Sequence, residues 1–216
     1  MPGAIRQRVT ALAGEGKSVV LVARNGRLAG LVALADTLRP EVAAAVEQIR
    51  ALGIRRVIML TGDREPAAAA VAARLGIEFE AELLPVEKIR AVERLQREGH
   101  VVAMVGDGIN DAPALAQADV GVAMGVAGTD AAIEAAHVAL MRDDWGMVPE
   151  AIALGRRAFR VIAQNLWFTV GYNAVGILLA ATGWLPPVGA AAAQSLPDVL
   201  VMFNSARLLR SRPMVD

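Results

Sequence analysis

The chain has 216 residues, of which 55% are hydrophobic, and its 22 basic residues balance its 22 acidic ones. This balance argues against a nucleic-acid binder, and the lack of cysteine excludes disulfides and thiolate metal sites within these residues. A mean hydropathy of +0.44 exceeds what a soluble domain needs and predicts a further, strongly apolar part.

The first two thirds of the chain show alternating strand and helix patterns. Apolar runs at Ser18–Ala23 and Leu28–Leu34 flank an Asn-Gly pair, which predicts a β-hairpin. Beyond it, the patterns predict helices over 39–52, 66–75, 86–98 and 112–116, and strands over 56–60, 78–82, 101–105 and 120–123. This alternation predicts an α/β fold with a parallel sheet between helices, in which ligands gather at the carboxyl ends of the strands.

Two long apolar runs follow residue 151. The run Leu166–Trp184 contains no charged residue, and Val188–Ala206 contains only Asp198. Each run has about the twenty residues needed to cross a bilayer. The flanking arginines are Arg156, Arg157, Arg160, Arg207, Arg210 and Arg212. By the positive-inside rule they predict a transmembrane hairpin in the cytoplasmic membrane, with both ends cytosolic. The alternative is a pair of buried core helices, which so small a domain could hardly cover.

The turn after the strand at 101–105 is rich in oxygen ligands and glycine. It contains Gly106, Asp107, Gly108, Asn110 and Asp111. Two carboxylates at this spacing suit Mg²⁺, which takes oxygen ligands and keeps several waters. Glycine lets a phosphate approach the backbone closely. Standing alone, the same residues fit a simple Asx-type turn equally well.

Four motifs together closely resemble the phosphorylation domain of P-type ATPases, within the haloacid dehalogenase superfamily. They are Asp36-Thr37-Leu38-Arg39-Pro40, Thr61-Gly62-Asp63, Leu84-Pro85-Val86-Glu87-Lys88 and the segment Gly106–Leu115. The resemblance continues through Ala123-Met124-Gly125, Gly128-Thr129-Asp130 and the terminal helix pair. It covers nearly the whole chain and is greatest for the heavy-metal-transporting subgroup.

The resemblance implies a role for each motif. In that family ATP phosphorylates an aspartate in an Asp-Lys-Thr-Gly-Thr motif, and the aspartyl-phosphate is later hydrolysed. Thr61 would hydrogen-bond the phosphoryl oxygens, and Lys88 would offset charge between the nucleophile and the phosphate. Gly62 and Asp63 belong to the same catalytic motif as Thr61. The remaining implied site residues are Asp107 and Asp111 for Mg²⁺, Asn110 for phosphate ordering, and Gly106 and Gly108 for close approach.

The phosphorylated motif itself occurs nowhere in these 216 residues. Asp36 and Asp63 lack the Lys-Thr-Gly-Thr context, so neither is expected to replace it. We therefore expect the carboxyl-terminal part of a pump that needs ATP and Mg²⁺ and is inactive alone. The expected divisions are 1–35 (end of the nucleotide-binding domain and return strand), 36–150 (phosphorylation domain without its nucleophile strand), 151–165 (linker helix), 166–207 (membrane hairpin) and 208–216 (tail). Two alternatives remain open: a membrane subunit that completes a split pump with a separate amino-terminal portion, and a membrane-tethered Mg²⁺-dependent phosphatase.

The expected cargo is a heavy-metal cation, copper-like or zinc-like. The pair Tyr172-Asn173 resembles copper-type pumps, whereas Asp198 in the last helix resembles zinc-type pumps. An ionisable residue within an apolar span usually faces a partner or a substrate path. The thioether of Met202 permits Cu(I), while Asp198 and Asn173 suit a harder divalent ion, so the two readings stay open. His100 and His137 are expected to be structural or exposed.

Overall fold

The computed structural model describes residues 3–14, 17–34, 39–107, 110–125 and 130–210. The chain divides into two compact units, Met1–Met147 and Val148–Asp216.

The first unit begins with a helix and the predicted hairpin. Helix α1, Gly3–Gly14, was not predicted. Strands β1, Ser18–Arg24, and β2, Arg27–Leu34, pair antiparallel. The turn between them has positive φ at both central residues, 51° at Asn25 and 74° at Gly26. That geometry is the reason an Asn-Gly pair predicts a two-residue hairpin.

The alternating α/β part of the first unit is confirmed as a fold with parallel strands. Its helices are α2 (Pro40–Ala51), α3 (Glu65–Leu75), α4 (Pro85–Arg97), α5 (Ala112–Gln117) and α6 (Asp130–Ala135). Its strands are β3 (Ile58–Leu60), β4 (Glu78–Glu80), β5 (Ala103–Gly106), β6 (Val120–Met124) and β7 (Val138–Leu140). Helix α6 and strand β7 were not predicted. Proline in the first turn of α2, α3, α4 and α5 explains where these helices begin.

Within the described residues the parallel strands form two sheets rather than the single one predicted. Strand β3 pairs with β4, and β5, β6 and β7 form a three-stranded sheet in that order. A common core joins the two sheets, because Leu60 at the end of β3 packs against a cluster that includes Met104 of β5 and Leu115 of α5. The carboxyl ends of β3 and β5 therefore border one hydrophobic core.

The second unit consists mainly of three helices. Helix α7, Met147–Ala181, merges the predicted linker helix with the first apolar run. The second apolar run does not form the single helix that was predicted, because it is divided into α8, Pro187–Ala193, and α9, Leu196–Ala206. A short 3₁₀ turn, Arg207–Arg210, follows. In the part of the chain that the structure describes, no helix is both long enough and apolar enough to cross a membrane.

Candidate phosphate and magnesium site

An ion pair forms the centre of the candidate site. The Nζ atom of Lys88 donates a hydrogen bond to Oδ1 of Asp111 over 2.7 Å. The two side chains are only 14% and 15% exposed, so water screens the pair poorly. A cation and a carboxylate are thus held together where the sequence predicted a phosphate-binding lysine and a magnesium ligand.

Local helix geometry fixes both partners of this pair. Lys88 lies in the first turns of α4, whose start is fixed by Pro85 and by the Glu87 carboxylate, which accepts a 2.7 Å hydrogen bond from the backbone N–H of Leu84. Asp111 is the N-cap residue of α5, and its carbonyl accepts the N–H of Leu115 at 2.8 Å. Two helix starts therefore orient the ion pair.

The end of β5 leaves room for the Asp111 carboxylate. A Cβ atom at Gly106 would lie 2.8 Å from Oδ2 of Asp111, which is closer than real Cβ contacts, and 3.0 Å from its Cβ atom, which is unusually tight. A side chain at position 106 would therefore displace Asp111. The sequence predicted glycine here for the close approach of a phosphate. In the structure, the group that lies in this space is the Asp111 carboxylate.

The loop after β3 is closed by its own side chains. The hydroxyl of Thr61 donates to Oδ2 of Asp63 at 2.9 Å and accepts the Asp63 N–H at 3.1 Å. The backbone of the next loop supports it, because the N–H of Glu82 donates to the Asp63 carbonyl at 2.8 Å and the N–H of Leu83 to the Thr61 carbonyl at 3.0 Å. Gly62 lies exposed between the two polar residues.

The support from Glu82 was not found in the sequence. Glu82 has a φ of 57°, a left-handed conformation that is uncommon for residues other than glycine. Such backbone geometry is frequent at functional sites and persists only where neighbouring contacts enforce it. No sequence signal distinguishes this glutamate, because the carbonyl that accepts its backbone N–H belongs to Asp63 in another loop.

The remaining predicted residues follow β5 directly. Asp107 and Asn110 are exposed. Gly108 lies outside the described residues, as do Asp36, Gly128 and Thr129. The structure thus brings together Lys88, Asp111 and Gly106, and separately Thr61 and Asp63.

The donor atoms of this site fit Mg²⁺ in kind. Among the described residues no group of three or more His, Cys, Asp and Glu side chains is arranged to hold a metal. Mg²⁺, however, is usually held in phosphoryl-transfer sites by one or two carboxylates, several waters and the substrate phosphates. Asp107 and Asp111 supply two such carboxylates, and the space at Gly106 accommodates one oxygen of Asp111.

Carboxyl groups with lowered pKa values lie elsewhere in the first unit, outside the candidate site. A side-chain hydrogen bond from Arg56 lowers the pKa of Glu78, and the same bond raises the pKa of Arg56. The backbone N–H of Val102 lowers the pKa of Asp119, to which it donates at 2.8 Å. Each of these contacts ties the beginning of one strand to a neighbouring strand or loop.

A further ion pair joins loops that are distant in sequence. The guanidinium of Arg39, next to α2, donates to Asp143 Oδ2 at 2.7 Å and to the Asp143 carbonyl at 3.2 Å. The hydrogen bond from Arg39 lowers the pKa of Asp143. Because 104 residues separate the partners, no local pattern in the sequence indicates this contact.

In the second unit, one predicted cation residue makes a defined contact between helices. The hydroxyl of Tyr172 in α7 donates a 2.7 Å hydrogen bond to the carbonyl of Ala193, the last residue of α8. Asn173, Asp198 and Met202 are exposed.

Polar side chains also connect α7 with α9. The amide of Asn165 donates to the hydroxyl of Ser205 at 3.0 Å, and its oxygen accepts the amide of Asn204 at 2.8 Å. These partly buried residues and Tyr172 lie along the seam between the helices. The sequence analysis did not single out Asn165, Asn204 or Ser205.

Comparison with known proteins identifies the family to which this chain belongs. A family model described as haloacid dehalogenase-like hydrolase matches residues 3–119. The chain is 49% identical over 205 residues to a manganese-exporting P-type ATPase of Mycobacterium bovis, covering 94% of this chain and 29% of that protein. It is 46% identical over 207 residues to a copper-exporting P-type ATPase of Bacillus subtilis, covering 95% and 26%.

One solved structure matches nearly the whole of this chain. The crystal structure of a zinc-transporting PIB-type ATPase in the E2.Pi state matches 97% of this chain and 34% of that chain, with a TM-score of 0.84 and 42% identity. The chain belongs to the haloacid dehalogenase-like hydrolase family. More narrowly, it is homologous to the heavy-metal P-type ATPases, and it spans less than a third of the length of the curated relatives named above.

Proposed function

We propose that this chain is the carboxyl-terminal portion of a P-type ATPase that couples ATP hydrolysis, through an aspartyl-phosphate, to heavy-metal cation transport. The observation that carries the proposal is the Lys88–Asp111 ion pair beside Gly106. It places a cation that can bind a phosphate next to a carboxylate that can bind Mg²⁺, at a position with little exposure to water. The phosphorylated aspartate comes from a segment outside these residues, so the chain alone is inactive.

The chain's own residues contribute positioning and charge. Phosphoryl transfer depends mainly on placing the reactants and neutralising the phosphoryl oxygens. Lys88 provides a positive charge for those oxygens, and the Thr61 hydroxyl, now bonded to Asp63, turns to donate to one of them. Asp107 and Asp111 would hold Mg²⁺, which would supply charge neutralisation when bound. Asn110 orients the phosphate.

The arrangement of strands suggests where the missing nucleophile strand enters. Strand β3 pairs only with β4, and β5 only with β6, among the described residues. Leu60 and Met104 nevertheless share one core. We infer that the strand carrying Asp-Lys-Thr-Gly-Thr pairs between β3 and β5. The acceptor carboxylate would then follow the same sheet edge as Thr61 and Asp107.

The second unit supports a membrane location for the predicted hairpin. Its seam contains the hydrogen-bonded polar residues, whereas apolar residues face outward: Ile177 is 68%, Leu178 65% and Phe203 68% exposed. A water-soluble helical domain has the opposite arrangement. Polar groups between helices and apolar groups outside are typical of helices surrounded by lipid or by other apolar helices. We propose that both termini of this integral membrane unit are cytosolic.

The proposed cargo is a first-row transition metal cation. The relatives named above export manganese or copper, and the related structure is that of a zinc transporter. In this chain Asp198 and Asn173 offer hard oxygen atoms and Met202 a soft sulfur atom. The carboxylate favours a divalent ion over Cu(I). In the complete pump, Asp198→Ala is expected to abolish stimulation of ATPase activity by Zn²⁺ or Mn²⁺ while phosphorylation by inorganic phosphate persists.

The magnesium assignment is tested in the complete pump, meaning this sequence together with the segment that carries Asp-Lys-Thr-Gly-Thr. Asp107→Asn is expected to abolish Mg²⁺-dependent phosphoenzyme formation, because one hard ligand is lost. Glu134→Gln, which removes an exposed carboxylate of α6, is the matched control and is expected to retain full labelling. Normal phosphoenzyme formation in Asp107→Asn would refute the assignment.

A further inference from the structure

The break between α8 and α9 creates a backbone acceptor that the helix itself cannot satisfy. Pro197 lies in the first turn of α9 and is buried. Because proline has no N–H, the usual helical hydrogen bond to the carbonyl four residues earlier cannot form. That carbonyl belongs to Ala193, where α8 ends.

The hydroxyl of Tyr172 supplies the missing donor. It lies 2.7 Å from the Ala193 carbonyl oxygen, and the contact is partly buried. The ring of Tyr172 is held by packing, since the centroid of Phe168 lies 6.1 Å away on the same helix. A buried carbonyl without a partner is unfavourable, so this hydrogen bond stabilises the break.

We propose that Tyr172 is a positioning residue of the cation path rather than a cation ligand. Its hydroxyl satisfies the carbonyl that Pro197 leaves free, and this fixes the point at which α9 begins. Asp198 lies in the first turn of α9, so the hydrogen bond sets where its carboxylate stands. The role in the cation path rests on the proposed function, but the coupling of Tyr172 to Pro197 does not.

A double-mutant cycle tests this coupling in the purified 216-residue chain in detergent micelles. The readout is hydrogen–deuterium exchange of backbone amides in residues 187–206. Tyr172→Phe is expected to accelerate this exchange about fivefold, the effect of losing one hydrogen bond. Pro197→Ala restores an N–H at position 197, so adding Tyr172→Phe to that variant is expected to change nothing further.

The matched control is Thr182→Val, at the residue that directly follows α7. The Thr182 hydroxyl donates to the Leu178 carbonyl at 2.9 Å, but that carbonyl also accepts the Thr182 backbone N–H at 3.0 Å. Its loss is expected to leave residues 187–206 unaffected.

Two results would overturn the proposal. One is exchange that Tyr172→Phe leaves unchanged in the wild-type background. The other is an equal acceleration with and without Pro197→Ala. Zn²⁺ binding by the same variants tests the ligand role separately: a ligand would lose affinity equally in both backgrounds, whereas a positioning residue loses it only where Pro197 is present. Because the exchange readout needs no transport, failure of the pump assignment would leave it unaffected.

Discussion

Space left empty at Gly106 determines where the Asp111 carboxylate lies. Gly106→Ala would place a methyl group 2.8 Å from Oδ2 of Asp111 and move that carboxylate away from Lys88. A displacement of about 1 Å can reduce a catalytic rate about 100-fold. Phosphoenzyme formation by the complete pump is therefore expected to fall by about that factor. Gly155→Ala in α7 is the control, because a Cβ atom there would meet no heavy atom within 4 Å apart from the nearby backbone of the same helix.

Retention of full phosphoenzyme formation in Gly106→Ala would mean that the Lys88–Asp111 geometry is not needed for the reaction. An equal loss in Gly155→Ala would mean that the assay reports general damage rather than the site.

A second glycine controls the packing of α5 on β6. A Cβ atom at Gly121 would overlap with the Leu115 carbonyl oxygen, which cannot move without shifting α5. Overpacking of this kind costs about 1–3 kcal/mol. Gly121→Ala is expected to lower the Tm of the purified chain by several degrees, as followed by circular dichroism. A Tm within about one degree of the wild-type value would contradict this close approach of the helix to the strand.

Single residues differ in how far the sequence could predict them. Lys88 and Asp111 were predicted as members of one site, and the structure places them 2.7 Å apart. Tyr172 was predicted to contact a cation, and its observed partner is a backbone carbonyl. The cation contact stays a prediction. Pro197 marks a lost helical hydrogen bond in the sequence, but which side chain donates to the carbonyl it leaves free depends on packing between helices.

At the scale of elements, Asp119 connects the beginnings of β5 and β6 through its bond to the Val102 N–H. This bond holds the pKa of Asp119 below its ordinary value, so the native state favours the charged form. Its contribution to stability is therefore complete above the unfolded-state pKa of about 4 and is lost as the pH falls through the lower native-state pKa.

Asp119→Asn tests this linkage by urea unfolding. The variant is expected to be less stable than the wild type at pH 6. The difference is expected to shrink at pH 3, which is below the unfolded-state pKa of about 4, because the unfolded wild-type chain then binds a proton at this carboxyl. Glu134→Gln controls for the change in net charge. A difference between Asp119→Asn and wild type that stays constant from pH 6 to pH 3 would contradict the assigned cause.

Elements with strong periodicity could be predicted, and the others could not. The β1–β2 hairpin, the helices α2 to α5 and the strands β3 to β6 follow local patterns, although several strands are shorter than predicted. Strand β7 and helix α6 are short, and their stability depends on packing against β6 and α5 rather than on local sequence. Hydropathy predicted one continuous run over 188–206, because it does not register the backbone hydrogen bond that Pro197 removes.

At the scale of the whole molecule, apolar side chains of the β1–β2 hairpin are exposed, including Val20 at 51% and Leu34 at 57%. If the chain belongs to a larger pump, other parts of that pump cover this surface. Backbone amides in residues 18–34 are therefore expected to exchange at least tenfold more slowly in the complete pump than in the isolated chain, as an order-of-magnitude estimate. Equal exchange in both would argue against a covered hairpin.

The central claim is that these residues supply one part of a phosphorylation site whose acceptor lies elsewhere. It is tested most directly by mixing the purified chain with a separately expressed segment that carries Asp-Lys-Thr-Gly-Thr and the nucleotide-binding domain, then adding radiolabelled ATP and Mg²⁺. Acid-stable label is expected on the added segment only when this chain is present, and none is expected with Asp107→Asn. Label on the 216-residue chain itself, or hydrolysis of p-nitrophenyl phosphate by it alone, would contradict the account.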